Sequence, residues 1–146
     1  MKNNKAERLD TIATVRENQK KQATGELLKI VRQKFQEVTL LQKLHNEQND
    51  AIASSFVAQR VRAHSAQANS AFIKRLNKDI QLQDTTIKKI EQVEVTKRDE
   101  LKERVKAKNI VEKLQGKVKE EMRKEADSKE QKLLDTISQR LAVGRP

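Results

Sequence analysis

The sequence predicts an all-α fold: a long antiparallel two-helix coiled coil, folded as a helical hairpin. Three observations predict it. First, residues 69–91, NSAFIKRLNKDIQLQDTTIKKIE, place Phe72, Ile73, Leu76, Ile80, Ile87 and Ile90 at the alternating three- and four-residue steps of a helix with one apolar seam. Second, only three Gly and one Pro occur, with the proline at position 146, so the interior is almost free of helix breakers. Third, charged residues make up 36% of the chain and hydrophobic ones 35%, with three Phe and neither Trp nor Tyr. That stock can fill a narrow stripe along each of two helices but not a compact core. Disorder shares the same composition, and the sustained apolar period argues against it.

The first helix is expected over about residues 6–52. Its seam can be followed through Leu9, Ile12, Arg16, Gln19, Ala23, Leu27, Val31, Val38 and Leu41, with a stutter near Gly25, where steps of four replace the alternation. Apolar density peaks in LLKIVRQKFQEVTLLQKL, residues 27–44, where apolar side chains nearly encircle the helix. Two paired helices cannot bury a whole circumference, so a third element covers it or part of it is a binding surface.

The pattern lapses in AIASSFVAQRVRAHSAQANS, residues 51–70, and the turn is expected at about 53–70, with a short helical piece around Phe56 to Arg62 and Asn69 or Ser70 as a cap. The second helix is expected at about 71–142. A strict heptad from Ile73 gives one series through Ile80, Ile87, Glu94, Leu101, Lys108, Gln115 and Met122, and another through Leu76, Gln83, Ile90, Lys97, Arg104, Val111 and Val118. Between Glu94 and Lys108 the seam holds charges, which cost desolvation unless they reach solvent or partners. Gly144 and Pro146 mark the end. The whole of 1–146 is thus expected to be one elongated coiled-coil domain.

Net charge is +11. The basic excess is greatest over residues 97–124, which suits nucleic acid, anionic lipid, an acidic protein surface or simply a solvated helix face. No cysteine is present, which rules out disulfides and Cys-ligated metals. No apolar run approaches the ~20 residues of a membrane span, and residues 1–26 lack a signal-peptide core, so the cytosol is the expected compartment.

The glycines at 25, 116 and 144 form no phosphate loop, and His45 and His64 belong to no metal-ligand cluster. A two-helix rod provides no shielded pocket for paired carboxylates. Three scattered Phe make no stacking platform for bases. A non-enzyme is expected, with no cofactor, metal or small-molecule substrate, and nucleic acid is not an expected partner.

Residues 37–48, EVTLLQKLHNEQ, and 72–83, FIKRLNKDIQLQ, resemble the FliJ family of the bacterial flagellar export apparatus. The resemblance extends from ERLDTIATVRENQ to DTISQR, nearly the whole chain. The Phe-Ile-x-x-Leu-x-x-x-Ile-x-x-Gln pattern is its most specific part. Where the family often carries aromatics before the turn, this chain has Leu44 and Gln48.

The resemblance implies an antiparallel coiled coil like the central stalk of rotary ATPases, entering a hexameric export ATPase. It further implies contacts with the cytosolic domain of the membrane export gate and with export chaperones, and a cytoplasmic location peripheral to the inner membrane. Proteins of virulence type III secretion share the shape.

On this sequence the gate surface maps to Glu37, Leu41, Leu44, Gln48, Phe72, Leu76, Asp79 and Gln83. The ATPase-facing set is Leu9, Ile12, Leu133, Ile137 and Leu141, which a hairpin is expected to bring close together. The alternatives are a coiled-coil scaffold or backbone-binding nucleic-acid-associated protein unrelated to export, and the central-stalk subunit of a vacuolar or archaeal-type ATPase.

Overall fold

The computed structural model describes residues 2–57 and 63–144. Among them there is no strand. Helix α1 spans Lys2–Val57 and helix α2 spans Ala63–Val143, 56 and 81 residues long. The fold is an all-α helical hairpin.

Both helices extend further toward the turn than their composition suggests. Residues 53–57 and 63–70, expected in the turn, are helical. Small and polar residues weaken an apolar pattern without breaking a helix, because only Gly and Pro carry a large backbone penalty. Asn69 therefore does not cap α2 but lies inside it, and its Nδ2 donates to the Ala51 carbonyl of α1 at 3.1 Å. Most of the helical piece expected around Phe56 to Arg62 falls outside the described residues. At the other end, the Gly144 amide donates to the Arg140 carbonyl at 3.0 Å, closing the last turn.

The helices meet in two contact units. A central unit comprises Ala23–Leu101, and a terminal unit comprises Met1–Gln22 with Lys102–Pro146. Within the central unit, cross-helix contacts run in opposite directions along the two chains. Gln48 bonds Asn77, Gln83 Nε2 donates to the Glu37 carbonyl at 2.9 Å, Lys34 meets Glu94 at 3.1 Å, and Lys97 meets Glu26 at 3.2 Å. The terminal unit is antiparallel by the same test, with Lys108 on Glu17 at 2.7 Å and Gln115 donating to Asp10 at 2.9 Å.

The seam of α1 follows a stricter rule than its apolar residues suggest. In the central unit the covered positions include Ala23, Leu27, Ile30, Lys34, Glu37, Leu41, Leu44, Gln48 and Ala51, which step four and three in unbroken alternation, with Thr24 and Glu26 half-buried beside them. In the terminal unit they include Leu9, Ala13, Arg16 and Lys20 in the same phase.

There is accordingly no stutter at Gly25. Ile12, Val31 and Val38, expected in the seam, are exposed. Lys34 and Glu37 instead take inward places, where Glu94 and Gln83 on α2 satisfy them, in phase with Leu27, Ile30, Leu41 and Leu44, and the valines turn outward.

On α2 the heptad from Ile73 holds. Every position of its first series from Ile73 to Met122 is buried or half-buried, and Leu76, Ile87, Ile90, Val111 and Val118 are among the most buried side chains. Three of the four charged seam residues have partners on α1: Glu94 on Lys34, Lys97 on Glu26, and Lys108 on Glu17. The fourth, Arg104, is exposed, and half-buried Val105 takes the inward place beside it. A one-residue rotation at that step keeps an unpaired guanidinium out of the interface.

Candidate partner-binding surfaces

The eight residues mapped to a gate contact all lie in the central unit, and they divide between two environments. Leu41 and Leu44 are half-buried in the seam, and Leu76 is only 4% exposed. Gln83 donates to both the carbonyl and the carboxylate of Glu37, so these two polar side chains are engaged with each other. Gln48 is likewise engaged with Asn77. Phe72 and Asp79 alone of the eight are exposed, Phe72 at 42%. They sit seven residues apart on one edge of α2, beside the seam position that follows each. This edge therefore shows solvent an aromatic ring and a carboxylate, and the other six side chains are covered or half-covered.

The ATPase-facing set is not brought together. Asp10 receives Gln115, so Leu9 lies level with that part of α2. Leu133, Ile137 and Leu141 lie ~27–39 Å further along α2 at a rise of ~1.5 Å per residue. The hairpin was expected to place them beside Leu9; they lie instead on a stretch of α2 beyond its contacts with the described part of α1. From residue 123 to residue 144 every described position is exposed. Leu133, Leu134, Ile137 and Leu141 form an apolar stripe on this unpaired segment, 46–66% exposed. Leu134 was not among the expected contacts, yet it steps by three and four to Ile137 and Leu141. This stripe is a helix face without an intramolecular partner among the described residues.

The polar cross-links have a consistent electrostatic signature. Hydrogen bonds from Lys34, then Arg98, hold the Glu94 carboxyl below the usual carboxylate range. Lys108 does the same for Glu17. Reciprocally, Glu26 raises the Lys97 ammonium and Glu17 raises that of Lys108. These groups are tuned by their mutual pairing across the two helices.

The groove beside Glu17, about 520 Å³ and lined also by Asp10, Lys108, Glu112 and Gln115, is open to solvent, and its central charges are paired. Among the described residues no cluster of three or more His, Asp or Glu is placed to hold a metal. No described helix is long and apolar enough to cross a membrane.

A second feature of the central unit was visible in the sequence only as an excess. Leu28, Val31, Phe35 and Val38 are exposed, and they form a stripe on α1 outside the seam. Phe35 is 73% exposed, unusually open for an aromatic side chain in so polar a chain.

Comparison with curated proteins and with solved structures finds no match. The family model described as "Flagellar FliJ protein" matches residues 4–146, taking in both helices of the hairpin, its edge around Phe72 and the unpaired end of α2. A match of that extent is a statement about the chain as a whole: it belongs to the flagellar FliJ family, whose members are components of the flagellar export apparatus.

Proposed function

We propose that this chain is the non-catalytic coupling component of a flagellar export apparatus, linking a hexameric export ATPase to the cytosolic domain of the membrane export gate and to export chaperones. The observation that carries the reading is the unpaired end of α2. An 81-residue helix that continues past its partner with Leu133, Leu134, Ile137 and Leu141 uncovered has an apolar face of the kind that a groove or ring on another protein covers.

In this reading the terminal segment of α2 enters the ATPase ring through Leu133, Ile137 and Leu141, and Leu9 and Ile12 on α1, level with Gln115, contact the ATPase ~27 Å or more away along the helix. The gate contact lies on the central unit, with Phe72 and Asp79 touching the gate domain and Glu37, Leu41, Leu44, Gln48, Leu76 and Gln83 holding that edge in place. The protein works in the cytoplasm, peripheral to the inner membrane through its partners. Its mixed ionic surface, net charge +11, favours acidic partner surfaces and makes association sensitive to salt.

Direct binding to the purified export ATPase tests the assignment. The full chain is expected to bind, and a chain lacking residues 126–146 to lose that binding while keeping its helical circular dichroism per residue and its affinity for the gate domain. Undiminished ATPase binding by the truncated chain would reject the placement of the ring contact.

A further inference from the structure

The stripe Leu28, Val31, Phe35 and Val38 repeats the three-four-three spacing of the α1 seam residues that precede each of its members, Leu27, Ile30, Lys34 and Glu37. It is the seam displaced by one residue, about 100° around the helix. Helix α1 therefore carries two packing faces in the same segment. One is covered by α2. The other is exposed along its full length, with Phe35 at its middle. Isolated exposed apolar residues are ordinary, but four in helical register on one face make a docking stripe.

The surrounding charge identifies what fits. On α1, Lys29, Arg32 and Lys43 make no ion pair or hydrogen bond among the described residues. The only acidic side chain between residues 27 and 46 is Glu37, which is engaged with Gln83. Across the hairpin, Asp84 is held by Lys88 at 3.2 Å, Glu91 by Lys34 at 3.8 Å, and Glu94 by Lys34 and Arg98. Asp84, Glu91 and Glu94 are thus held internally, and Asp79 is left open nearer the turn, while Lys29, Arg32 and Lys43 of α1 are free.

A second copy of the chain would bring +11 against +11. A bilayer is flat, whereas the stripe is narrow, one face of a single helix whose neighbouring face is covered by α2. We propose that this face docks one amphipathic helix of an acidic partner protein, which lays apolar residues at three- and four-residue steps on Leu28, Val31, Phe35 and Val38 and presents carboxylates to Arg32 and its neighbours. The result is a local three-helix bundle. The proposal goes beyond the coupling role, which gives these residues no part.

A labelled synthetic helix of about four heptads serves as the probe, with Leu at its two apolar heptad positions and Glu beside them; a second peptide carries Lys in place of Glu. Fluorescence anisotropy with the full-length chain is expected to show binding of the acidic peptide at least about tenfold tighter than the basic one, weakening as salt rises. Phe35→Ala and Arg32→Glu each lower the affinity, Phe35→Ala by about tenfold or more. Leu40→Ala, exposed but off the stripe, leaves it unchanged, and helicity stays constant in all three because none of these side chains is in the seam.

Equal binding of the two peptides, or indifference to Phe35→Ala, overturns the proposal. So does a dimer in sedimentation that Phe35→Ala dissolves, which gives the face to a second copy. Flotation with phosphatidylglycerol vesicles that Phe35→Ala abolishes gives it to a lipid surface and overturns it as well.

Discussion

Phe72 and Leu76 are one helical turn apart, and they are asked to do different things. Leu76 is enclosed by the two helices, so Leu76→Ala removes buried volume and leaves a cavity, at a cost of ~2–4 kcal/mol in urea unfolding. Phe72 is part of the outer edge, and Phe72→Ala is expected to change stability by less than ~1 kcal/mol while weakening gate-domain binding by ~1–3 kcal/mol. A Phe72→Ala protein that melts early yet binds the gate domain normally would make the ring structural.

Glu94 gives a second prediction at the residue scale. Its carboxyl is held below its ordinary pKa by Lys34 and Arg98, so its ionised form favours the folded chain. That contribution is complete above the ordinary carboxylate range and is lost as pH falls through the depressed value. Lys97 and Lys108 are raised, so their contributions are complete below the ordinary lysine value and are lost as pH rises through the higher one. The urea midpoint should therefore stay level from about pH 6 to about pH 9 and fall at both ends. Glu94→Gln should flatten the acid limb. An acid limb of the same depth in that variant would contradict the assignment.

The two helices differed in how much of their packing could be read from residues alone. In α2, Ile73, Leu76, Ile80, Ile87 and Ile90 carry both the apolar signal and the seam, so phase and register followed from spacing. In α1 those signals separate. Its seam includes Lys34, Glu37, Gln48, Ala23 and Ala51, while Val31, Phe35 and Val38 lie outside it. Hydrophobicity there points to a face other than the intramolecular one, and pairwise partners such as Lys34 with Glu94, 60 residues apart, leave no local trace.

The same separation explains the candidate site. The fall of Phe72 on an exposed edge followed from Ile73 taking the inward place, whereas the stagger that strands Leu133 to Leu141 depends on where α1 starts against α2, which only the cross-helix contacts reveal. At this scale the glycines supply a prediction. A methyl group at Gly25 or Gly116 would meet nothing within 4 Å, and neither glycine has a positive φ. Gly25→Ala and Gly116→Ala should each stabilise their helices by ~0.5–1 kcal/mol, read as a higher urea midpoint. A lower midpoint in either would mean that the glycine is needed for close packing.

As a molecule, the chain devotes few residues to its own core and many to outward faces. Its seam is pinned by polar cross-links, from Gln83 on Glu37 to Gln115 on Asp10, which disfavour register slips of a weakly apolar pair. Its uncovered apolar faces, one in the central unit and one at the end of α2, suit a protein whose work is done in contact with others. The central claim is that the unpaired end of α2 is what the export ATPase engages. The most direct measurement is the ATP hydrolysis rate of the purified export ATPase with the full chain and with the triple variant Leu133→Gln, Ile137→Gln, Leu141→Gln. These side chains are exposed, so the variant should keep its helicity and its gate-domain affinity. The full chain is expected to change the rate and the variant to leave it at the value of the ATPase alone. A variant that changes the rate as the full chain does would contradict it.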